Sequence, residues 1–171
     1  MNKDDFLIKS QIEMNLNDVA MLINTGVFNA SILRNFQEPV FVSIILKLHD
    51  LLQKLNNLGK RVNFKDEIPE GDITDLISKV RNAICHLDSY ENLLDKKTQI
   101  KFVFNMIIGK CSAISIGDEI KAKSDYDDDI AFYYGAHRLY FNRHIIRALK
   151  DAKKNTSELY LSNNAAPYPS D

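Results

Sequence analysis

Apolar residues recur at helical spacing through the first half of the chain, and the residues between them mark where each helix starts and stops. Ile8, Ile12, Leu16, Val19, Ala20 and Ile23 share one face of a first helix, which Asp4 and Asp5 are placed to cap and Gly26 to end. A second stripe is longer: Phe41, Ile44, Ile45, Leu48, Leu51, Leu52, Leu55 and Leu58, with Pro39 suited to the first turn and Gly59 to the position just past the end. A loop from Arg61 follows, and Asp72 then caps a third helix with Ile73, Leu76, Ile77, Val80, Ile84 and Leu87 on its apolar face. The polar stretch up to Lys97 predicts a turn or a small helix.

From Ile100 the pattern changes. IKFVFNMIIG is rich in β-branched and aromatic residues and predicts a strand, and IAFYYGAHRLYF predicts two short strands around Gly135–Ala136. Helical period then returns in Phe141, Ile145, Ala148, Leu149 and Ala152. From Asn155 the polar residues and two prolines predict a frayed tail. The expected architecture is mainly α: one helical-bundle domain over residues 1–155, with a small antiparallel β excursion at about 100–141 before the last helix, and a flexible polar tail over 156–171.

The 171 residues suffice for a substantial core, and 45% hydrophobic with 26% charged residues is ordinary globular composition. A net charge of −1 provides no global attraction to nucleic acid, so any such function must be local. Cys85 and Cys111 have no paired spacing, which argues against a disulfide framework or a zinc site. The polar, acidic N-terminus does not resemble a signal peptide, and no apolar run has membrane-spanning length. The expectation is a cytoplasmic protein with no membrane contact.

The polar face of the third helix is where chemistry concentrates. With about 100° per residue and Ile73 as zero, Arg81 falls near 80°, Asn82 near 180° and His86 near 220°. Asn82 and His86 are therefore neighbours at i, i+4, whereas Arg81 and His86 are about 140° apart. The arginine must curl round, or a second copy of the helix must supply the partner, which favours a site shared across a two-fold dimer. A polar outward face is also what solubility alone requires. A second pair, Arg138 and His144, has similar spacing.

The run R-N-A-I-C-H, Arg81 to His86, resembles the Arg-x4–6-His signature of the HEPN superfamily (higher eukaryotes and prokaryotes nucleotide-binding), in which the residue after arginine is often polar. Arg138 is followed by leucine, so that pair fits less well. The resemblance implies a compact helical bundle whose two motifs face each other in a homodimer. It further implies a metal-independent endoribonuclease in a toxin–antitoxin or phage-defence setting. Some such toxins are controlled by a nucleotidyltransferase antitoxin that adenylylates a tyrosine two residues past the histidine. Here that position is Asp88, and the nearest tyrosine is Tyr90.

The chemistry fits these residues. RNA carries its own nucleophile, the 2′-OH, so cleavage to a 2′,3′-cyclic phosphate needs a proton acceptor, a proton donor and a cation, but no cofactor or metal. Histidine titrates near neutrality, and arginine presents a fork of donors matched to phosphate oxygens. His86 is assigned acid–base work, Arg81 the scissile phosphate, and Asn82 the orientation of His86 or a phosphate contact. Arg143, Arg147, Lys150 and Lys154 form a basic stripe on the last helix that could track an RNA backbone, with Arg138 nearby; complementing the helix dipole is the plainer role. Asp125, Asp127, Asp128 and Asp129 lack a coordinating-loop signature, so solvation, capping or pairing with the basic helix is expected. His49 is expected at a core boundary and His137 on an exposed turn. The alternative from another class is a non-catalytic HEPN-like module that binds a partner protein or dimerises.

Overall fold

The computed structural model describes residues 3–29, 33–69, 71–86, 90–95 and 97–164. The chain runs α1 (Lys3–Asn24), a 3-10 turn at Val27–Asn29, α2 (Arg34–Asn57) and α3 (Ile73–Cys85). After a second 3-10 turn at Tyr90–Asn92 come β1 (Leu93–Asp95), β2 (Ile100–Lys101), β3 (Asn105–Ile108), β4 (Cys111–Ile116), β5 (Glu119–Ser124), β6 (Ile130–Tyr134) and β7 (His137–Tyr140). A π-helical turn, Phe141–Ile146, leads directly into α4 (Arg147–Asn164). The mainly-α expectation holds, with a larger β region than the two segments foreseen. No helix among the described residues is long and apolar enough to cross a membrane.

The helices bury the faces their periods announce. Ile12, Leu16 and Val19 of α1 pack with Phe41, Ile44, Ile45, Leu48, Leu51, Leu52 and Leu55 of α2 in one cluster. Gly59, at φ +72°, allows the Lys60 N–H to reach back to the Leu55 carbonyl at 2.8 Å and close the end of α2. Asp72 caps α3 reciprocally with Asp75, and Arg61 bridges both carboxylates at 2.7–2.9 Å.

Three boundaries differ from expectation. Asp4 and Asp5 lie inside the first turn of α1 instead of ahead of it. Pro39 lies in the second turn of α2, because that helix starts at Arg34, where buried Gln37 donates to the Val27 carbonyl at 3.3 Å and ties the helix start to the preceding turn. The tail expected from residue 156 instead continues α4 to Asn164; Thr156 is buried, and Leu159 packs on the core, extending the stripe from Ala152 at helical spacing. Residues 165–171 lie outside the described ones, as does Leu87.

β6 is the structural centre of the second half. It sits between β3 and β7 in a three-stranded antiparallel sheet, with Phe132 opposite Met106 on one side and Leu139 on the other. Its alternate residues enter two cores. Ile130, Phe132 and Tyr134 join the helical cluster, while Ala131 and Tyr133 join a smaller one with Leu94, Phe102, Ile107, Ala122 and Tyr140. Phe132 meets Phe28 and Phe41 at centroid distances of 4.8 Å each. The β4–β5 hairpin turns at Gly117–Asp118 and is fastened to this sheet by two tyrosines. The Tyr133 hydroxyl donates to the Lys123 carbonyl at 2.7 Å, and the Asp125 N–H donates to the Tyr140 hydroxyl at 3.1 Å.

The last helix begins without a cap of its own: Tyr140 precedes it and makes no side-chain cap bond. Asp129, from the loop before β6, supplies the cap. Its carboxylate accepts from the N–H groups of Asn142 at 2.8 Å and Arg143 at 3.2 Å, and from the Arg143 guanidinium at 2.9 Å, with its side chain fully buried. Asp129→Ala is expected to destabilise the fold by about 3 kcal/mol, since it removes a cap and leaves a guanidinium without its buried partner. At roughly 2–4 °C per kcal/mol for a chain of this size, a thermal melt should show a fall of about 6–12 °C.

Candidate functional site

Of the two arginine–histidine pairs in the sequence, the structure leaves one on the surface and builds the other into the fold. Arg81 and Asn82 sit in the last turn of α3, Arg81 half-buried and Asn82 exposed, and the Arg81 guanidinium donates to the Asn82 side-chain oxygen at 3.3 Å. His86 is the C-cap residue, with its backbone N–H still bonded to the Asn82 carbonyl at 3.0 Å. Its side chain is exposed and makes no hydrogen bond to any described residue. Buried Asn92 donates to the His86 carbonyl at 2.8 Å and so fixes the chain where it leaves the helix. Ser89 and Asp88 lie outside the described residues; Tyr90 is exposed.

No carboxylate among the described residues pairs with Arg81. The guanidinium lies near His49 of α2, which is half-buried at the core boundary as expected. Burial, followed by the charge of Arg81, pushes the His49 imidazole below the ordinary histidine value, against a smaller upward pull from Asp50. Sequence reasoning did not connect His49 with Arg81, because the link is a helix–helix contact across 32 residues of chain.

Arg138 and His144 have structural roles. Arg138 bonds Asp125 at 2.7 Å, approaches Glu67 at 3.7 Å and stacks over Tyr140. His144 is fully buried. Its Nδ1 accepts from the Tyr140 N–H at 3.1 Å, which leaves Nε2–H to donate to the Asp66 carbonyl at 3.0 Å. Both ring nitrogens are thus occupied within the fold.

The basic stripe of α4 is neutralised in its first half only. Arg143 pairs with Asp128 at 3.0 Å and Asp129 at 2.9 Å and lies over the Tyr126 ring. Arg147 pairs with Asp66 at 2.6 Å and lies over Phe64. Lys150 and Lys154 are exposed without a carboxylate partner among the described residues, Lys150 in a cleft between α1 and α4. The acidic run therefore does what its charge first suggested, pairing with basic residues and capping the last helix. Among the described residues no three His, Cys, Asp or Glu side chains gather as metal ligands would. Cys85 and Cys111 are both exposed and free.

No family model, no curated protein and no solved structure matches the chain.

Burial holds His144 below its ordinary value of 6.5, outweighing the upward effect of its bond to Asp66. The unfolded chain therefore binds more protons at this position than the folded one near that pH, so the stability contribution is complete above about 6.5 and is lost as pH falls below it. His49 shifts in the same direction and adds to the slope. The urea midpoint is expected to fall between about pH 7.5 and 5.5, and His144→Gln should remove only part of that dependence. An unchanged slope in the variant would place the effect elsewhere.

Proposed function

We propose that the chain is a metal-independent endoribonuclease of the HEPN type, working in the cytoplasm as a homodimer with Arg81, Asn82 and His86 as its cutting residues. One observation supports this reading above the others. Of the two Arg–His pairs, only Arg81 and His86 keep an exposed imidazole and a guanidinium unclaimed by a described carboxylate, whereas Arg138 and His144 are consumed by the fold.

In the reaction so assigned, an imidazole removes the proton of the ribose 2′-OH as its oxygen attacks the adjacent phosphorus. The charge on the phosphoryl oxygens grows against the Arg81 fork, and a protonated imidazole gives its proton to the departing 5′-oxygen. The products are a 2′,3′-cyclic phosphate and a 5′-hydroxyl, and the two imidazoles exchange states. In a dimer the second imidazole is His86 of the facing copy. The position of His86 at the helix end, beyond the last full turn, gives its side chain more latitude to meet Arg81 than the 140° separation along an unbroken helix would. A toxin–antitoxin or phage-defence role, with an antitoxin as partner, accompanies this assignment.

A second reading, a non-catalytic module that docks a partner or a second copy, draws on the outer face of α1. Leu7, Met14 and Met21, exposed by 48%, 54% and 63%, recur every seventh residue and form one apolar row left uncovered by the described residues.

Incubating a mixed RNA pool with the protein in excess chelator distinguishes the two. Cleavage should occur, and His86→Ala should slow it by about 10²–10⁴-fold with folding and self-association unchanged. Equal cutting by both proteins would remove His86 from the chemistry, and no cutting by either would favour the docking module.

A further inference from the structure

The three-stranded sheet ends on one side at β3, and that edge is open. β6 pairs with β3 from Asn105–Tyr133 to Ile108–Ile130, and no hydrogen bond from a described residue reaches the other side of the strand. Beside it lies a cleft of about 760 Å³, lined by Phe104, Met106 and Ile108 on the strand side and by Phe28, Arg34 and Glu38 on the side of α2 and the turn before it. We propose that two copies of the chain associate here, their β3 strands pairing antiparallel about a two-fold axis at Met106, so that two three-stranded sheets become one of six. The inference does not depend on the ribonuclease reading and stands whether or not RNA is cut.

An open edge leaves a row of N–H and C=O groups that another strand can satisfy. Proteins that stay monomeric blunt such edges with charged side chains, prolines or bulges. β3 has none of these: Asn105–Ile108 is uncharged and keeps an unbroken register with β6. The strand at the opposite edge, β7, carries Arg138.

The alternation of side chains selects the register. Met106 packs on the helical cluster and Ile107 joins the smaller one, so Phe104, Met106 and Ile108 share the face that lines the cleft. A two-fold axis normal to the sheet keeps the helices of both copies on one side, and residues opposed across it then lie on the same face. Centred on Met106, it sets Ile108 of each copy against Phe104 of the other. Ile108 is 66% exposed in the single chain, and an aromatic residue opposite a β-branched one is a favourable cross-strand pair.

The charges beside the edge also suit a second copy. Arg34 and Glu38, one turn apart at the start of α2, are both exposed, and neither forms an ion pair with a described residue. In a two-fold contact Arg34 of one copy can face Glu38 of the other, and the reverse, which gives two opposite-charge pairs and no like-charge one. A strand from a strongly acidic or basic partner would leave one of the two residues opposed by its own sign.

Sedimentation velocity of the full chain over a concentration series tests this. The native protein should be dimeric at about 0.1 mM. Ile108→Lys puts a charge on the paired edge and should raise the dissociation constant at least about tenfold, with circular dichroism unchanged. Arg34→Glu should weaken association by a similar factor, and Arg34→Glu with Glu38→Arg should recover most of it, a recovery that loss of folding cannot imitate. With Cys85→Ser and Cys111→Ser in place, Met106→Cys should form an intermolecular disulfide under mild oxidation, because residues opposed across the axis lie within disulfide range. Ile108→Cys should not, since its counterpart lies four strand residues away, roughly 14 Å. A native protein that stays monomeric would overturn the pairing. So would a folded Ile108→Lys variant that dimerises as its parent does, and that result would move association to another face, such as the outer row of α1.

Discussion

The second half of this fold depends on a buried carboxylate finding enough donors. Asp129 carries a charge into a place without solvent, a loss that only several hydrogen bonds and an opposing charge can offset. The Ile130, Asn142 and Arg143 N–H groups and the Arg143 guanidinium supply them. The same bonds satisfy the first free amides of the last helix, so one group solves two problems: the orphan donors of a helix start and the placement of that helix against β6. The neighbouring His144 extends the junction by holding the Asp66 carbonyl, bringing the loop after α2 into the same assembly.

That junction explains why the β region is a layer of the fold and not an appendage. β6 is buried along its whole length, one face toward the helices and the other toward the β4–β5 hairpin. A strand of this kind offers no solvent face on which polar residues could alternate with apolar ones, and Ile130–Tyr134 has none. Tyr133 of β6 and Tyr140 of β7 reconcile burial with polarity by bonding through their hydroxyls to the backbone of β5 and the loop after it. The hairpin is held by those hydroxyls together with Ala122 and Ile114, which pack in the smaller cluster.

What could be read in the chain follows from the range of the interaction involved. Local periodicity placed α1, α2 and α3, and local chemistry marked Asp72 as a cap and Gly59 as a stop, because each signal lies within a few residues of its effect. The end of α4 was obscured by composition: Asn155, Thr156 and Ser157 look like loop, although Ala152, Thr156 and Leu159 keep the helical period. The β4–β5 hairpin carried a signal in Gly117–Asp118 that the surrounding polar strands diluted. The site separated along the same line. The Arg81–His86 spacing is visible in one helix, but the consumption of Arg138, Arg143 and Arg147 depends on carboxylates 13 to 81 residues away.

The central position of β6 also sets an order of events during synthesis. α1, α2 and α3 leave the ribosome with their shared apolar face uncovered, because Phe132, Leu139 and Ile145, which complete that cluster, come in the last quarter of the chain. The late closure joins segments far apart in sequence, so the N-terminal helices must wait, loosely associated, for the strand that organises them. The end of α3 is held by Asn92, and the middle of the helix lines a cleft with β5 and the β6–β7 turn, so its surroundings are completed only when translation is nearly finished. A nascent chain would therefore carry the Arg81–His86 sequence well before it carried the surface around it.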